Sequence, residues 1–125
     1  MTDRKRVAEL EGAELDTWVV RALGAYRGPY QMVKDGRPEQ DCLIFPDGVP
    51  FRATTGDIYP SERWSDGGPI IERERIVLMP TPEGWEAIKS LPGMTLVREQ
   101  AATPLVAAMR AFVASKFGDT VEVQP

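Results

Sequence analysis

Thr103-Pro104-Leu105-Val106-Ala107-Ala108-Met109-Arg110-Ala111-Phe112-Val113-Ala114-Ser115-Lys116-Phe117-Gly118 is the stretch on which the fold turns. Thr103 offers an oxygen to the free amides of a helix start, Pro104 suits the first turn, and Gly118 accepts the left-handed stop. At about 100° per residue, Leu105, Val106, Met109, Phe112, Val113 and Phe117 cover one broad arc. Ala107, Ala111, Ala114 and Ser115 line the other side, with Arg110 on the boundary. A helix apolar nearly all round is a covered helix. Its large face is predicted to pack on a sheet. Its Ala107/Ala111/Ala114 face is predicted to admit a second helix or a second copy of the chain, which would make a homo-oligomer.

The sheet is read just upstream. Ile76–Met79 and Gly84–Lys89 flank a turn over Pro80–Gly84, and Thr95–Glu99 follows the Pro92-Gly93 turn, which predicts antiparallel neighbours of ordinary length. Thr120–Val123 is a further strand. Before the sheet, Ser65 to Arg75 predicts a short helix with Ser65 or Asp66 as its cap, Pro69 in its first turn and Glu72 paired with Arg75. Residues 13–23, AELDTWVVRAL, place Leu15, Trp18, Val19, Ala22 and Leu23 on one face, and Gly24 ends that helix. Trp18 and Trp85 are read as core residues.

Eleven glycines and eleven prolines concentrate between residues 24 and 93, so residues 25–65 are turn-rich. Asp35-Gly36 and Phe45–Val49 read as turns. The second lies between Cys42–Phe45 and Phe51–Thr54, which predicts a hairpin whose second strand Pro50 confines to an edge. Residues 1–12 read as a partly mobile, charged tail. The expected fold is a single α+β domain over 1–125, with a small antiparallel sheet of three to four strands packed by an N-terminal helix, a short middle helix and a long C-terminal helix. The order of middle helix, three strands and last helix is that of double-stranded-RNA-binding modules, an analogy of topology alone.

Composition excludes several chemistries. The 125 residues contain no histidine, which removes imidazole bases, Ser-His-Asp and Cys-His systems and His-ligated zinc. The lone Cys42 cannot form an internal disulfide and reads as a buried, inert thiol. The acids Asp41, Asp47, Asp57, Glu62 and Asp66 lack the alternating ligand spacing of a calcium loop, so no metal and no cofactor are expected. A net charge of −4 argues against nucleic acid as the partner. Arg4-Lys5-Arg6 is offset by Asp3, Glu9 and Glu11. No apolar run approaches the roughly 18 residues of a membrane span, and no secretory leader is read at the N-terminus. A bacterial-cytoplasmic location is expected.

The candidate binding residues are Tyr59, Trp64, Asp66, Gly67, Gly68, Glu72 and Arg110. Two glycines behind a helix start allow close approach to backbone amides, and Tyr59 and Trp64 offer flat surfaces. The plainer alternative is a capped helix whose aromatics plug the core edge. Glu72 and Arg110 are charges on the borders of apolar helices: a polar pair in a cleft, a structural ion pair, or two groups with no contact at all. No catalytic residue is assigned.

Three blocks carry a likeness. They are Leu15–Ala22 with Gly24; Tyr59-Pro60-Ser61 through Trp64–Glu72; and Gly84–Ala87 followed by Thr103-Pro104-Leu105, Ala107–Arg110 and Gly118. Through them the sequence resembles the phage NinX-like family, small proteins of phages and prophages with no assigned activity. Residues 25–58 match nothing in that pattern. The resemblance implies a phage or prophage origin and a place in the host cytoplasm, and brings no catalytic residues. Three functions stay open: a non-enzymatic accessory protein that binds a host or phage macromolecule through a surface around Tyr59, Trp64 and the Gly67-Gly68 turn; a small-molecule-binding domain or enzyme using Glu72, Arg110 and the amides near Gly68 in a cleft at the middle helix N-terminus; and a nucleic-acid-binding module.

Overall fold

The structure is a computed structural model that describes residues 3–24, 26–30, 40–44, 50–53 and 58–123, the three middle segments by their backbone. In chain order the elements are β1 (Asp3–Arg6), a 3-10 turn (Val7–Glu9), α1 (Gly12–Leu23), β2 (Tyr26–Tyr30), β3 (Gln40–Ile44), β4 (Pro50–Ala53), α2 (Trp64–Glu74), β5 (Val77–Thr81), β6 (Gly84–Ser90), β7 (Leu96–Ala101), α3 (Pro104–Phe117) and β8 (Thr120–Val123). The fold class is α+β, as expected.

α3 is the centre. Thr103 Oγ1 accepts the Val106 amide at 3.3 Å, Pro104 occupies the first turn, and Gly118 ends the helix at φ 87°. On one side α3 meets β6 and β7, on another α1, and α2 also reaches it. Leu105, Ala107, Ala108, Met109 and Ala111–Ala114 are all buried, so apolar atoms cover it nearly all round. The alanines are used up within the chain: Ala107 and Ala111 expose nothing. A second copy cannot seat on Ala107/Ala111/Ala114, because that face is already closed by this chain's own elements. α1 supplies Leu15, Val19 and Leu23 to the same core and ends at Gly24, φ 70°. Trp18 and Trp85 pack against the core's margin. Trp18 meets the half-exposed Phe117 edge to face at 5.3 Å.

β5, β6 and β7 form an antiparallel meander, with Val77 opposite Ile88 and Ile88 opposite Arg98. Pairing alternates the faces: Leu78, Trp85, Val97 and Ala101 turn toward the core. The predicted Glu72–Arg75 pair is replaced. Glu74 instead meets Arg73 at 3.0 Å and Lys89 of β6 at 3.2 Å. Burial opposes the charge on Glu74, but these two cations outweigh it and hold its carboxyl below the usual range.

The segment read as a mobile tail is built in. β1 pairs with β8, Lys5 lying opposite Val121, and Val7 and Leu10 behind it are wholly buried. Arg4 bonds Glu122 and Thr120, and Lys5 bonds Glu14. These cations are engaged by the chain's own carboxylates. Alternation hid the strand, since DRKR has no apolar face and its partner lies 116 residues away.

The hairpin expected around Pro50 is present as β3 and β4, with β4 on the edge of a β2-β3-β4 sheet. β2 adds a third strand within the stretch read only as turn-rich. The expected turns at Asp35-Gly36 and Phe45–Val49, Thr54 and the side chain of Cys42 lie outside the described residues.

Candidate functional site

α2 begins two or three residues earlier than its sequence suggests. Arg63, not Ser65 or Asp66, stands at the cap, and its carbonyl accepts the Asp66 and Gly67 amides. Pro69 therefore falls inside the helix, in its second turn. The cause is a competing use for Asp66. Its Oδ2 accepts the Tyr59 backbone N–H at 2.9 Å and ties the turn that precedes the helix back onto α2. That turn closes on itself through the Glu62 and Arg63 amides, both donated to the Tyr59 carbonyl.

A second carboxylate grips the same turn from α1. Asp16 Oδ1 accepts the Ser61 backbone N–H at 2.9 Å across 45 residues of chain. Both residues are buried, and among the described residues neither Asp16 Oδ2 nor Ser61 Oγ meets a partner in full hydrogen-bond geometry, although the two side chains lie beside one another. Burial pushes the Asp16 carboxyl above the usual carboxylate range. The Ser61 hydroxyl and amide pull the other way, and Glu62 and Asp66 add to the rise. Asp16 stands inside the family-like block but carried no role in the sequence. The signal was available: on a helical wheel it falls about 20° beyond Leu23, at the edge of the apolar arc.

Gly67 explains why the turn lies so flat. A Cβ there would collide with the Pro60 carbonyl oxygen and come within 2.8 Å of Leu105 Cδ2. Gly68, next to it, has only Trp64 Cε3 near, at 3.9 Å. One glycine permits close packing onto α3; its neighbour does not need to be glycine.

On this buried base sit the aromatics. The Arg63 guanidinium lies over the Tyr59 ring at 4.7 Å. Trp64 is 55% exposed, so it is no plug of the core edge. Tyr59, Trp64, Asp66, Gly67 and Gly68 thus lie together at the start of α2. Glu72 and Arg110 do not join them. Glu72 is exposed on α2, whereas Arg110 donates Nε to the Leu10 carbonyl at 2.8 Å and Nη1 to the Gln100 carbonyl at 2.9 Å. It stitches the N-terminal turn to the end of β7. The polar pair in a cleft is replaced by a structural clamp on backbone acceptors.

Arg110→Ala is accordingly expected to cost about 1.5 kcal/mol, since two charge-assisted bonds are lost at a half-buried position. Arg110→Lys, which cannot fork to both carbonyls, should recover less than half of that loss. Urea denaturation of the two variants measures both values.

An open cleft of about 390 Å³ lies apart from these residues, lined by Arg6, Ala8, Glu99, Asp119 and Thr120. Burial, with Asp119 beside it, pushes the Glu99 carboxyl up, while Arg110 and Arg6 draw it partway back. Among the described residues no three acid or thiol groups are gathered to hold a metal ion, and no helix is long and apolar enough to cross a membrane.

Comparison with known families decides the kinship. The profile of the family described as Bacteriophage P22, NinX matches residues 6–116. The chain belongs to the NinX family. The match takes in the three blocks that carry the likeness, stopping short of Gly118, and also the middle segment, residues 25–58, that had resembled nothing. In this NinX-family chain it therefore spans α1, the tied turn, α2, the meander and nearly all of α3. No curated protein matches the chain.

Proposed function

We propose that this NinX-family chain is a non-enzymatic accessory protein of a phage, acting in the host cytoplasm by binding a protein partner through the surface around Trp64, Tyr59 and Arg63. The observation that carries this reading is the exposure of Trp64 on an anchored base. Exposing an indole costs the free chain apolar burial, yet Pro60, Ser61, Asp66 and Gly67 around it are buried and held by Asp16 and Asp66. A large aromatic held rigid and left in solvent loses little conformational entropy on binding, which is the makeup of an interface hot spot. Arg63 stacked on Tyr59 adds a second flat, polar-edged surface beside it.

Trp64→Ala tests the reading. The substitution lies on the surface, so the melting temperature should move by no more than about 2 °C. Wild type and variant are used as paired baits in lysate of phage-infected cells, and each retained protein is purified and titrated against both. Loss of a wild-type partner with at least a tenfold drop in affinity supports the proposal. Equal binding by both baits, or collapse of the variant's fold, overturns it.

A further inference from the structure

We propose that the outward face of the β5-β6-β7 sheet is a self-association surface whose occupant is a second copy of this chain. The pairing places Val77 and Met79 of β5, Glu86 and Ile88 of β6, and Leu96, Arg98 and Gln100 of β7 on one side. The opposite side is the one packed on the core. Val77 is 51% exposed, Leu96 46%, Met79 40% and Met94, at the tip of the β6–β7 turn, 95%.

Two features, one on this face and one in the turn joining two of its strands, work against the isolated chain. Its apolar side chains are neighbours, Val77 beside Ile88 and Ile88 diagonal to Leu96, and such contiguous patches mark interaction sites more than ordinary surface. Met94, moreover, holds a left-handed φ of 66°, a conformation that costs a residue with a side chain about 1 kcal/mol. An exposed thioether on unfavourable backbone gives the monomer no return, whereas a flexible methionine suits an interface that must adapt to its partner.

Charge selects the partner. The whole chain carries −4, but this face is balanced, with Glu86 and Arg98 paired at 3.2 Å. Such a face is complementary to itself. An in-plane two-fold axis between the two residues lays each Glu86 over the other copy's Arg98. On a ladder with regular strand spacing, the same axis sets Leu96 over Met79 and brings Val77 and Ile88 onto their own copies. Acid then meets base and apolar meets apolar across an isologous contact. The face measures about 15 Å by 20 Å, short of the ~800 Å² per partner of a standard stable interface. The dimer is therefore weak, with a Kd on the order of tens of micromolar.

Sedimentation equilibrium of the full chain between about 5 and 500 µM tests this, with Glu86→Arg and Arg98→Glu as charge variants whose folding is verified by thermal melts. The wild type is expected to shift from monomer to dimer over that range. Each variant alone, now with two like charges on the face, should dimerise at least tenfold more weakly. An equimolar mixture of the two should recover association, because a doubly basic face meets a doubly acidic one. A wild type that stays monomeric overturns the proposal, as does a wild-type dimer untouched by either reversal or a mixture no more associated than its components.

Discussion

Gly67→Ala is expected to lower the melting temperature by about 10 °C, a loss of about 3 kcal/mol, whereas Gly68→Ala, one residue on, should leave stability unchanged or raise it slightly. The contrast follows from what a methyl group would meet. At Gly67 it strikes the Pro60 carbonyl oxygen, which is backbone, and crowds Leu105 Cδ2 at 2.8 Å. Neither can yield cheaply: Pro60 belongs to the turn held by Asp16 and Asp66, and Leu105 is part of buried α3. The turn would have to lift from the helix and pull its two carboxylate anchors with it. At Gly68 the nearest atom is Trp64 Cε3 at 3.9 Å, ordinary van der Waals contact. There alanine replaces the poorest helix former short of proline, a gain of up to about 1 kcal/mol. Thermal melts of the two variants side by side separate a packing constraint from the general effect of glycine in a helix. Equal melting temperatures would remove the close-packing account of the turn.

The second large effect is expected at Asp16, where two substitutions should part company. Asp16→Ala removes the acceptor of the Ser61 amide and leaves that buried N–H unbonded, at a cost of about 2.5 kcal/mol. Asp16→Asn keeps an oxygen for the Ser61 amide, brings an N–H₂ beside Ser61 Oγ, and relieves the burial of a charge. It should equal or exceed the wild type at neutral pH. The pH dependence carries the sign. Burial raises the folded carboxyl above its ordinary value of 3.8, so the folded state binds the proton more tightly than the unfolded state does. The Asp16 contribution is thus most favourable below about 3.8. Stability is lost as pH climbs from there through the raised folded value, and the penalty is complete above it. Asn has no such titration. The wild type should therefore fall behind Asp16→Asn as pH is raised from about 4 toward 7, and melting curves of both proteins across that range check it. A gap that narrows with rising pH would show that Asp16 is stabilised as a carboxylate.

Local signals carried most of the fold. Gly24, Thr103-Pro104 and Gly118 act on amides and carbonyls within a turn of themselves, so their effect is written beside them, and the helices they bound end where expected. The meander was readable because its turns are short, although the first is tighter than the expected Pro80–Gly84: Pro80 and Thr81 belong to β5, and Pro82-Glu83 alone make the turn. What escaped was non-local. β1 is a strand only because β8 lies against it, and DRKR has no alternation to announce that. The start of α2 was misplaced because Asp66, a good helix cap in isolation, is taken up by the Tyr59 amide. The block around Trp64 was legible in Tyr59, Trp64 and the two glycines. Its anchor was not, since Asp16 belongs to a different helix and reaches Ser61 only after folding. Arg110 was seen to need partners, but backbone carbonyls leave no mark in a sequence.

The ribbon of β1 and β8 sets an order of events during synthesis. Arg4 is translated 116 residues before its partner Thr120, a delay of about ten seconds at typical ribosomal speed. Through that interval the leading strand has no mate, and Val7 and Leu10 have no finished pocket to enter. The nascent chain holds them uncovered until β8 has emerged, so a translational pause in the codons around Thr120–Val123 would lengthen the interval in which this apolar surface is open to aggregation or to a chaperone.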